Sequence, residues 1–285
     1  MKKLFALCLL LTWSVTSYGI PVYDFTLQDT DGKTHQLSEY ADSKGVVLFI
    51  QGNGCPIGRH AVSTLRLIRD EYEPKGFTFL MINPQTQDTD NAIKKEAAQF
   101  NFADFTVLKD SSQLVSEALG VDRTGEVFLL DAKNLQLLFR GPVDDRLHYE
   151  TQKIEAGKTY LTDALDVTLA GKELDKKVVM SPGCDIFFIS KEDHANRTIS
   201  YDKEISPIVG NRCASCHNGA KGAAKLDSYA ALKGAADQVK SVVLARHIVQ
   251  GALDSKQDFN ANKKHQLSDE EMQLLVHWVD SGTPQ

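Results

Sequence analysis

Five residues near the C-terminal end, Cys213-Ala214-Ser215-Cys216-His217, have the types and spacing of a motif that attaches a haem. Two thiols one helical turn apart can each add to a haem vinyl group, and the adjacent histidine can ligate the iron. Half of a zinc site is the structural alternative, but the sequence has no second Cys-x-x-Cys to complete one. The motif therefore predicts one covalently attached haem c, with His217 as its proximal ligand.

Cys55 is a second candidate reactive centre, far upstream of that motif. It follows Gly45 to Ile50, an unbroken apolar run that suits a buried strand. Residues 56–72 then repeat apolar side chains at helical spacing, with Pro56 in the first turn, where a proline is tolerated. A helix N-terminus lowers the pKa of a thiol, so the sequence predicts a thiolate-forming Cys55.

The elements around Cys55 alternate between strand and helix, which predicts an α/β domain. Predicted strands cover residues 23–27, 34–37, 45–50, 77–82, 106–108, 126–130 and 135–140; predicted helices cover 56–72, 91–100, 114–119 and 161–169. The first two strands flank Asp31-Gly32, a hairpin turn pair. The last elements of the predicted domain are a pair of strands and a helix.

Residues 21–172 resemble the redoxin branch (AhpC/TSA type) of the thioredoxin-like superfamily. The motifs that carry the resemblance are Phe25-Thr26-Leu27, Gly54-Cys55-Pro56-Ile57, residues 123–131, Phe139-Arg140-Gly141 and Asp144-Asp145-Arg146. The resemblance implies a thioredoxin-like fold in which Cys55 is the redox-active residue. We place this domain at residues 20–172.

The sequence departs from that family at the site itself. Gly58 stands where a thioredoxin has its second cysteine, and Gln51 to Gly54 replaces the Pro and Thr that precede a peroxidatic cysteine. Arg59 remains as a residue that could lower the pKa of Cys55, although it occupies the position of the second cysteine in an SCO-like copper site. The nearby His60 could still serve as a copper ligand. Gly125 replaces the superfamily's cis-proline.

Cys184 follows the redoxin-like stretch, in Ser181-Pro182-Gly183-Cys184-Asp185. Two hypotheses are equally weighted: a resolving cysteine that exchanges with Cys55, or a static disulfide that closes the domain. A free or copper-binding pair is a third. Both forms of pairing require Cys184 to fold back against Cys55.

Residues 173–199 are charged and polar, and they are predicted to form a flexible linker. Residues 200–285 resemble a small, all-α class I cytochrome c. In that resemblance Trp278 of the last helix packs against Gly210 of the first, and Ser268 with Glu271 forms a capping box at the start of the last helix.

The sixth haem ligand departs from the cytochrome pattern, because residues 251–266 contain no Met. His265 ranks first as the distal ligand and His247 second; Lys263, Lys264 or an open position follow. Bis-His ligation would lower the potential relative to His/Met ligation, and an open position would allow peroxide chemistry. The remaining histidines are predicted to be solvated (His35, His148, His194) or a surface or packing residue (His277).

The first 19 residues resemble a signal peptide: Lys2 and Lys3 precede an apolar run that ends near Ser17 and Gly19. Cleavage would leave a periplasmic or secreted protein without a transmembrane anchor and remove Cys8, the fifth cysteine. The formal charge of the 285-residue chain would change from −6 to −8 on loss of the two lysines. That acidic balance argues against nucleic acid as a partner.

These patterns predict an exported redox protein that exchanges electrons with a periplasmic electron-transfer partner. Two alternatives stay open. One is a thiol or haem peroxidase that uses peroxide, and the other is a copper-handling or redox-partner binding module without catalysis.

Overall fold

The computed structural model describes residues 20–148, 151–219, 224–246 and 266–285. Within these ranges an eight-stranded sheet has the order β1-β8-β7-β4-β5-β6-β2-β3. The strands are β1 (Ile20–Pro21), β2 (Thr26–Asp29), β3 (Thr34–Gln36), β4 (Gly45–Ile50), β5 (Phe77–Asn83), β6 (Val107–Lys109), β7 (Glu126–Asp131) and β8 (Gln136–Pro142). The predicted hairpin is confirmed, since β2 and β3 pair antiparallel and Gly32 adopts φ +80° in their turn.

Strand β4 is the centre of this sheet. It runs parallel to β5 and antiparallel to β7, and all six of its residues are buried. Alternation along the strand sends Val47 and Phe49 into one apolar core and Val46 and Leu48 into the other. A strand covered on both faces must be apolar throughout, which explains the unbroken hydrophobic run.

Helices cover both faces of the sheet. They are α1 (Pro56–Tyr72), α2 (Asp90–Gln99), α3 (Leu114–Leu119) and α4 (Tyr160–Leu169). Side chains of α1, α2 and α4 join the core of Val47, and Val115 of α3 joins the opposite core. The predicted α/β architecture is confirmed.

The C-terminal part is helical. A five-residue turn of π-helix, Tyr201–Ile205, continues into α6 (Ser206–Arg212), and the chain then forms α7 (Tyr229–Gly234), α8 (Ala236–Leu244) and α9 (Asp269–Asp280). The Ser268–Glu271 capping box is present at the start of α9.

Trp278 of α9 is completely buried in the core of this helical unit. Its ring lies 6.1 Å from that of Tyr201 and 6.4 Å from that of Tyr229. Gly210 is exposed, and a Cβ built on it would have no neighbour within 4 Å. The predicted Trp278–Gly210 contact is therefore wrong, and Tyr201 supplies the first-helix contact instead.

Residues 173–199, predicted as a flexible linker, pack against both units. Val178 forms a parallel bridge with Arg140 of β8, and α5 (Ile189–Ala195) packs against α9. The two units also contact each other, because Gln273 donates to Ser112 O (2.8 Å) and Thr26 Oγ1 donates to Ala245 O (2.7 Å).

Candidate functional site

Cys55 lies at the point where the central strand gives way to α1. It is the N-cap residue of that helix, and its sulfur accepts the Gly58 N–H at 3.5 Å. Only 3% of the residue is exposed. The helix start therefore supplies a hydrogen bond and a favourable dipole to a sulfur that solvent barely reaches.

The loop before Cys55 is held by two carboxylates. Asp88 accepts the Asn53 N–H at 2.9 Å, and Glu96 accepts the Gly54 N–H at 3.0 Å. Both acidic residues are buried. These two backbone donors, which precede the reactive sulfur, are therefore engaged within the protein.

Arg59 is also bound by Glu96, through two hydrogen bonds of 2.6 and 2.8 Å. Its guanidinium lies 3.9 Å from the centre of the Phe100 ring. Burial of Glu96 disfavours its ionised form, but the bonds from Arg59 and Gly54 outweigh burial and lower its pKa. The cation that the sequence assigned to Cys55 is thus paired with a carboxylate.

Cys184 lies directly against Cys55 despite a separation of 129 residues in the chain. The two Sγ atoms are 2.8 Å apart, and both cysteines are free thiols in this structure. The proximity that either form of pairing requires is therefore present.

An antiparallel bridge between Arg123 and Asp185 places Cys184. Thr124 N–H donates to Cys184 O at 3.0 Å, and Ile186 N–H donates to Asp122 O at 3.0 Å. The buried Thr124 hydroxyl accepts the Cys184 N–H at 3.1 Å. Residues 184–186 thus pair with the loop before β7 through a single bridge.

This approach depends on glycine. Gly183 adopts φ +156°, and a Cβ there would lie 1.9 Å from Thr124 O. On the opposite side, Gly125 adopts φ +78° and faces the first turn of α1. A side chain at Gly183 would push the segment that carries Cys184 away from Cys55.

The two thiols are driven to different protonation states. Burial raises the pKa of Cys55, but hydrogen bonds from Cys184, Thr124 and the Gly58 N–H outweigh burial and lower it below its ordinary value. Burial together with the bond to Cys55 and its charge raises the pKa of Cys184 to about 11. In the reduced pair the negative charge therefore belongs on Cys55 and the proton on Cys184.

Residues 18–137 match the AhpC/TSA family model. The N-terminal part of this chain is a thioredoxin-like redoxin domain. The family match ends before Cys184, so the second thiol of the redoxin site comes from outside the matched residues.

Solved structures are also similar to part of the chain. A hypothetical protein from Sinorhizobium meliloti 1021 has 28% identity and a TM-score of 0.50, covering 59% of this chain and 92% of that chain. An uncharacterized conserved protein from Geobacillus kaustophilus has 27% identity and a TM-score of 0.53, covering 59% and 90%. A putative thiol:disulfide interchange protein DsbE from Chlorobium tepidum has 24% identity and a TM-score of 0.43, covering 53% and 96%. No curated protein matches the chain significantly.

The other cysteine pair follows α6 in the helical unit. Cys213 caps that helix, and its carbonyl accepts the N–H groups of Cys216 (3.1 Å) and His217 (2.9 Å). Cys213 is half-buried against the helical core, whereas Cys216 is exposed. Burial, followed by the charges of Glu271 and Cys216, raises the pKa of Cys213.

His217 is oriented by a backbone carbonyl. Its Nδ1 lies 3.0 Å from Ala224 O. A carbonyl can only accept a hydrogen bond, so Nδ1 carries the proton and Nε2 keeps the lone pair that could bind a metal. His265 and His247, together with Lys263 and Lys264, lie outside the described residues.

A pair of histidines joins the two units. The Nδ1 atoms of His194 (α5) and His277 (α9) are 2.7 Å apart, and His277 Nε2 lies 3.0 Å from Glu117 of the redoxin domain. Burial, followed by the charges of His277 and Arg197, lowers the pKa of His194. The predicted solvation of His194 is wrong.

His35 is buried as well. Its ring nitrogens bond Asp29 and Tyr40, so the predicted solvation of this residue is also wrong.

In the part of the chain that the structure describes, no group of three or more His, Cys, Asp or Glu side chains could hold a metal ion. The helices described there include none with the length and apolar character needed to cross a bilayer.

Thr124, Glu96 and Asp88 were not predicted from the sequence as residues of this site. Each acts on the Cys55 region from a distant part of the chain, and no local pattern marks them. The one available signal was the position of Thr124 directly before Gly125, the residue that replaces the superfamily's proline.

Proposed function

We propose that this chain is an exported oxidoreductase in which Cys55 and Cys184 form a reversible disulfide and the helical unit carries one haem c. The observation that carries the proposal is the 2.8 Å contact between the two sulfurs, which are matched as a thiolate and a thiol. A pair of this kind forms a disulfide by losing two electrons and one remaining proton. The family match supports thiol redox chemistry in the N-terminal part.

Cys213, Cys216 and His217 are the residues that would hold the haem. They fit that group in three respects: the thiols lie one turn apart, one of them is exposed, and His217 has its Nδ1 occupied by Ala224 O. When bound, a haem supplies reversible one-electron transfer at its iron. Arg212, which precedes Cys213, bonds Glu271 at 3.0 Å and so fixes the motif to α9.

The two centres differ in electron count, because a disulfide exchanges two electrons and one haem exchanges one. Exchange between them would require two turnovers or two molecules. We also propose that an exported electron-transfer protein delivers or receives the single electrons.

The thiol part is tested by equilibrating the purified protein in dithiothreitol buffers of graded potential and trapping free thiols with a maleimide. We expect Cys55 and Cys184 to be trapped together in one two-electron transition in the wild type. With Cys184→Ser, Cys55 should be trapped at every potential. Independent trapping of the two thiols in the wild type would contradict a disulfide couple.

The haem part is tested by visible spectra of the oxidised and dithionite-reduced protein, in wild type and in His265→Ala and His247→Ala. We expect a low-spin c-type spectrum that becomes high-spin in only one of the variants. A high-spin wild type would favour peroxide chemistry instead, and a protein without haem would remove the electron-transfer part while leaving the thiol couple intact.

A further inference from the structure

The two sulfurs of the redoxin pair differ in access. Cys55 is only 3% exposed, at the N-cap of α1. Cys184 is half-buried on a surface segment, beside the exposed Asp185 and with Phe187, which is 67% exposed, three residues further on. An incoming group therefore meets Cys184 first.

The sulfurs also differ in how well they can hold a negative charge. Cys55 Sγ accepts the Gly58 N–H at 3.5 Å at the start of α1, and hydrogen bonding by Cys184 and Thr124 outweighs burial and lowers its pKa. Cys184 lacks a helix N-terminus and sits beside the carboxylate of Asp185, whose charge disfavours its ionisation. Of the two sulfurs, Cys55 is the better leaving group, and thiol–disulfide exchange is faster when the sulfur that leaves is a stable thiolate.

We propose that the Cys55–Cys184 disulfide is opened by a protein thiolate that attacks Cys184 Sγ, so that the mixed disulfide with the reducing partner forms on Cys184. This inference rests on the proposed function, because it requires the two cysteines to form a reversible disulfide.

The exchange balances in two steps. In the first, the partner thiolate donates an electron pair to Cys184 Sγ, a partner–Cys184 bond forms, the Cys55–Cys184 bond breaks, and its electron pair leaves on Cys55. In the second, another thiolate of the partner attacks the partner's own sulfur, a disulfide forms within the partner, and Cys184 leaves and takes up a proton. The partner is thus a reduced dithiol protein, which loses two electrons as this chain gains them.

The probe for the test is glutathione, a small peptide thiol. The fully oxidised protein is mixed with glutathione, quenched with acid at short times and treated with a maleimide, and the adducts are mapped by peptide mass spectrometry. We expect glutathione on Cys184 and maleimide on Cys55, in a ratio above ten to one when extrapolated to zero time. The extrapolation removes later transfer of glutathione between the two sulfurs.

Thr124→Val supplies a second measurement. We expect it to slow the opening severalfold without moving the adduct, because it weakens stabilisation of the Cys55 thiolate that leaves, while Cys184 remains the more exposed sulfur. Glutathione on Cys55, or equal labelling of both cysteines at zero time, would overturn the inference while leaving the reversible disulfide intact. Failure of the oxidised protein to yield a peptide that links Cys55 to Cys184 would instead overturn the proposed function, and this inference with it.

Discussion

The chain contains two cysteine pairs that its fold treats in opposite ways. Cys55 and Cys184 are 129 residues apart in sequence, and the sheet brings them into contact. Cys213 and Cys216 are neighbours on one turn, yet Cys216 is exposed and Cys213 only half-buried. The first pair is completed by the protein itself, whereas one thiol of the second pair is open to solvent.

The difference lies in what surrounds the sulfurs. In the redoxin pair, hydrogen bonding by Cys184, Thr124 and the Gly58 N–H outweighs burial and lowers the pKa of Cys55. In the helical unit, burial and negative neighbours raise the pKa of Cys213. A pair with one stabilised thiolate suits disulfide exchange, and a pair with one exposed thiol is open to groups from solvent.

The largest effect is expected from removing the second cysteine pair. Cys213→Ser with Cys216→Ser should abolish covalent haem, because both thioether bonds are lost. The measurement is haem staining after denaturing electrophoresis. Cys55→Ser with Cys184→Ser is the matched control and should retain all of its haem; loss of haem in that control would link the two pairs chemically.

Gly183→Ala should break the first pair by displacing its second member. A side chain at this left-handed position would collide with Thr124 O, at a cost of about 2 kcal/mol in unfolding free energy. The fraction of linked Cys55–Cys184 peptide in a fixed dithiothreitol buffer should fall with it. Gly171→Ala, at φ +64° with open space around it, is the control and should leave that fraction unchanged.

Thr124→Val should sharpen the contrast in thiolate stability. Removal of the hydroxyl takes one donor from Cys55, which raises its pKa and lowers the thiolate fraction at neutral pH about tenfold. The rate of Cys55 carbamidomethylation against pH measures this directly. Thr124→Ser keeps the donor and should behave like the wild type; equal profiles for Val and Ser would show that the hydroxyl is not the cause.

The contact between the two units should weaken in acid. The pKa of His194 lies below its ordinary value of 6.5 because the site is buried and faces His277. The unfolded chain therefore binds this proton more readily, so the stabilisation is complete above about pH 6.5 and declines as the pH falls towards the folded-state pKa. When the pH falls from 7.5 to 5.5, the melting temperature should fall by a few degrees less in His194→Gln than in wild type. Substitution of the exposed His148, His148→Gln, should give the same fall as wild type.

Arg59→Gln should change Cys55 reactivity least, by about twofold or less, because the guanidinium is bound to Glu96. Carbamidomethylation at a single neutral pH suffices to measure it. A large fall in rate would restore the role that the sequence assigned to Arg59.

The parts of the fold that rest on local pattern were predictable. The limits of β4 and α1 agree with the prediction because an apolar run and a helical repeat are properties of short stretches. The capping box of α9 is equally local. Either form of pairing required Cys55 and Cys184 to be close. The bridge between Arg123 and Asp185 causes this proximity, and neither segment alone predicts that bridge.

The errors share one physical reason. His194 and His35 were predicted to be solvated because they are isolated in sequence, and the Trp278–Gly210 contact came from the cytochrome resemblance. The partners of all three residues come from other elements. Arg59 has the right position to face Cys55, and Glu96, 37 residues later, binds it instead. Tertiary contacts between distant polar groups leave no periodic trace in the sequence.

The span between Cys55 and Cys184 has a mechanical consequence. A disulfide between the two would close a covalent ring through 129 intervening peptide steps, and such a ring restricts the unfolded chain far more than the folded one. By the chain-entropy account, the oxidised molecule would resist unfolding by about 5 kcal/mol more than the reduced molecule. By thermodynamic linkage, folding stabilises the disulfide by the same free energy. The folded protein is therefore harder to reduce than the unfolded chain by that amount.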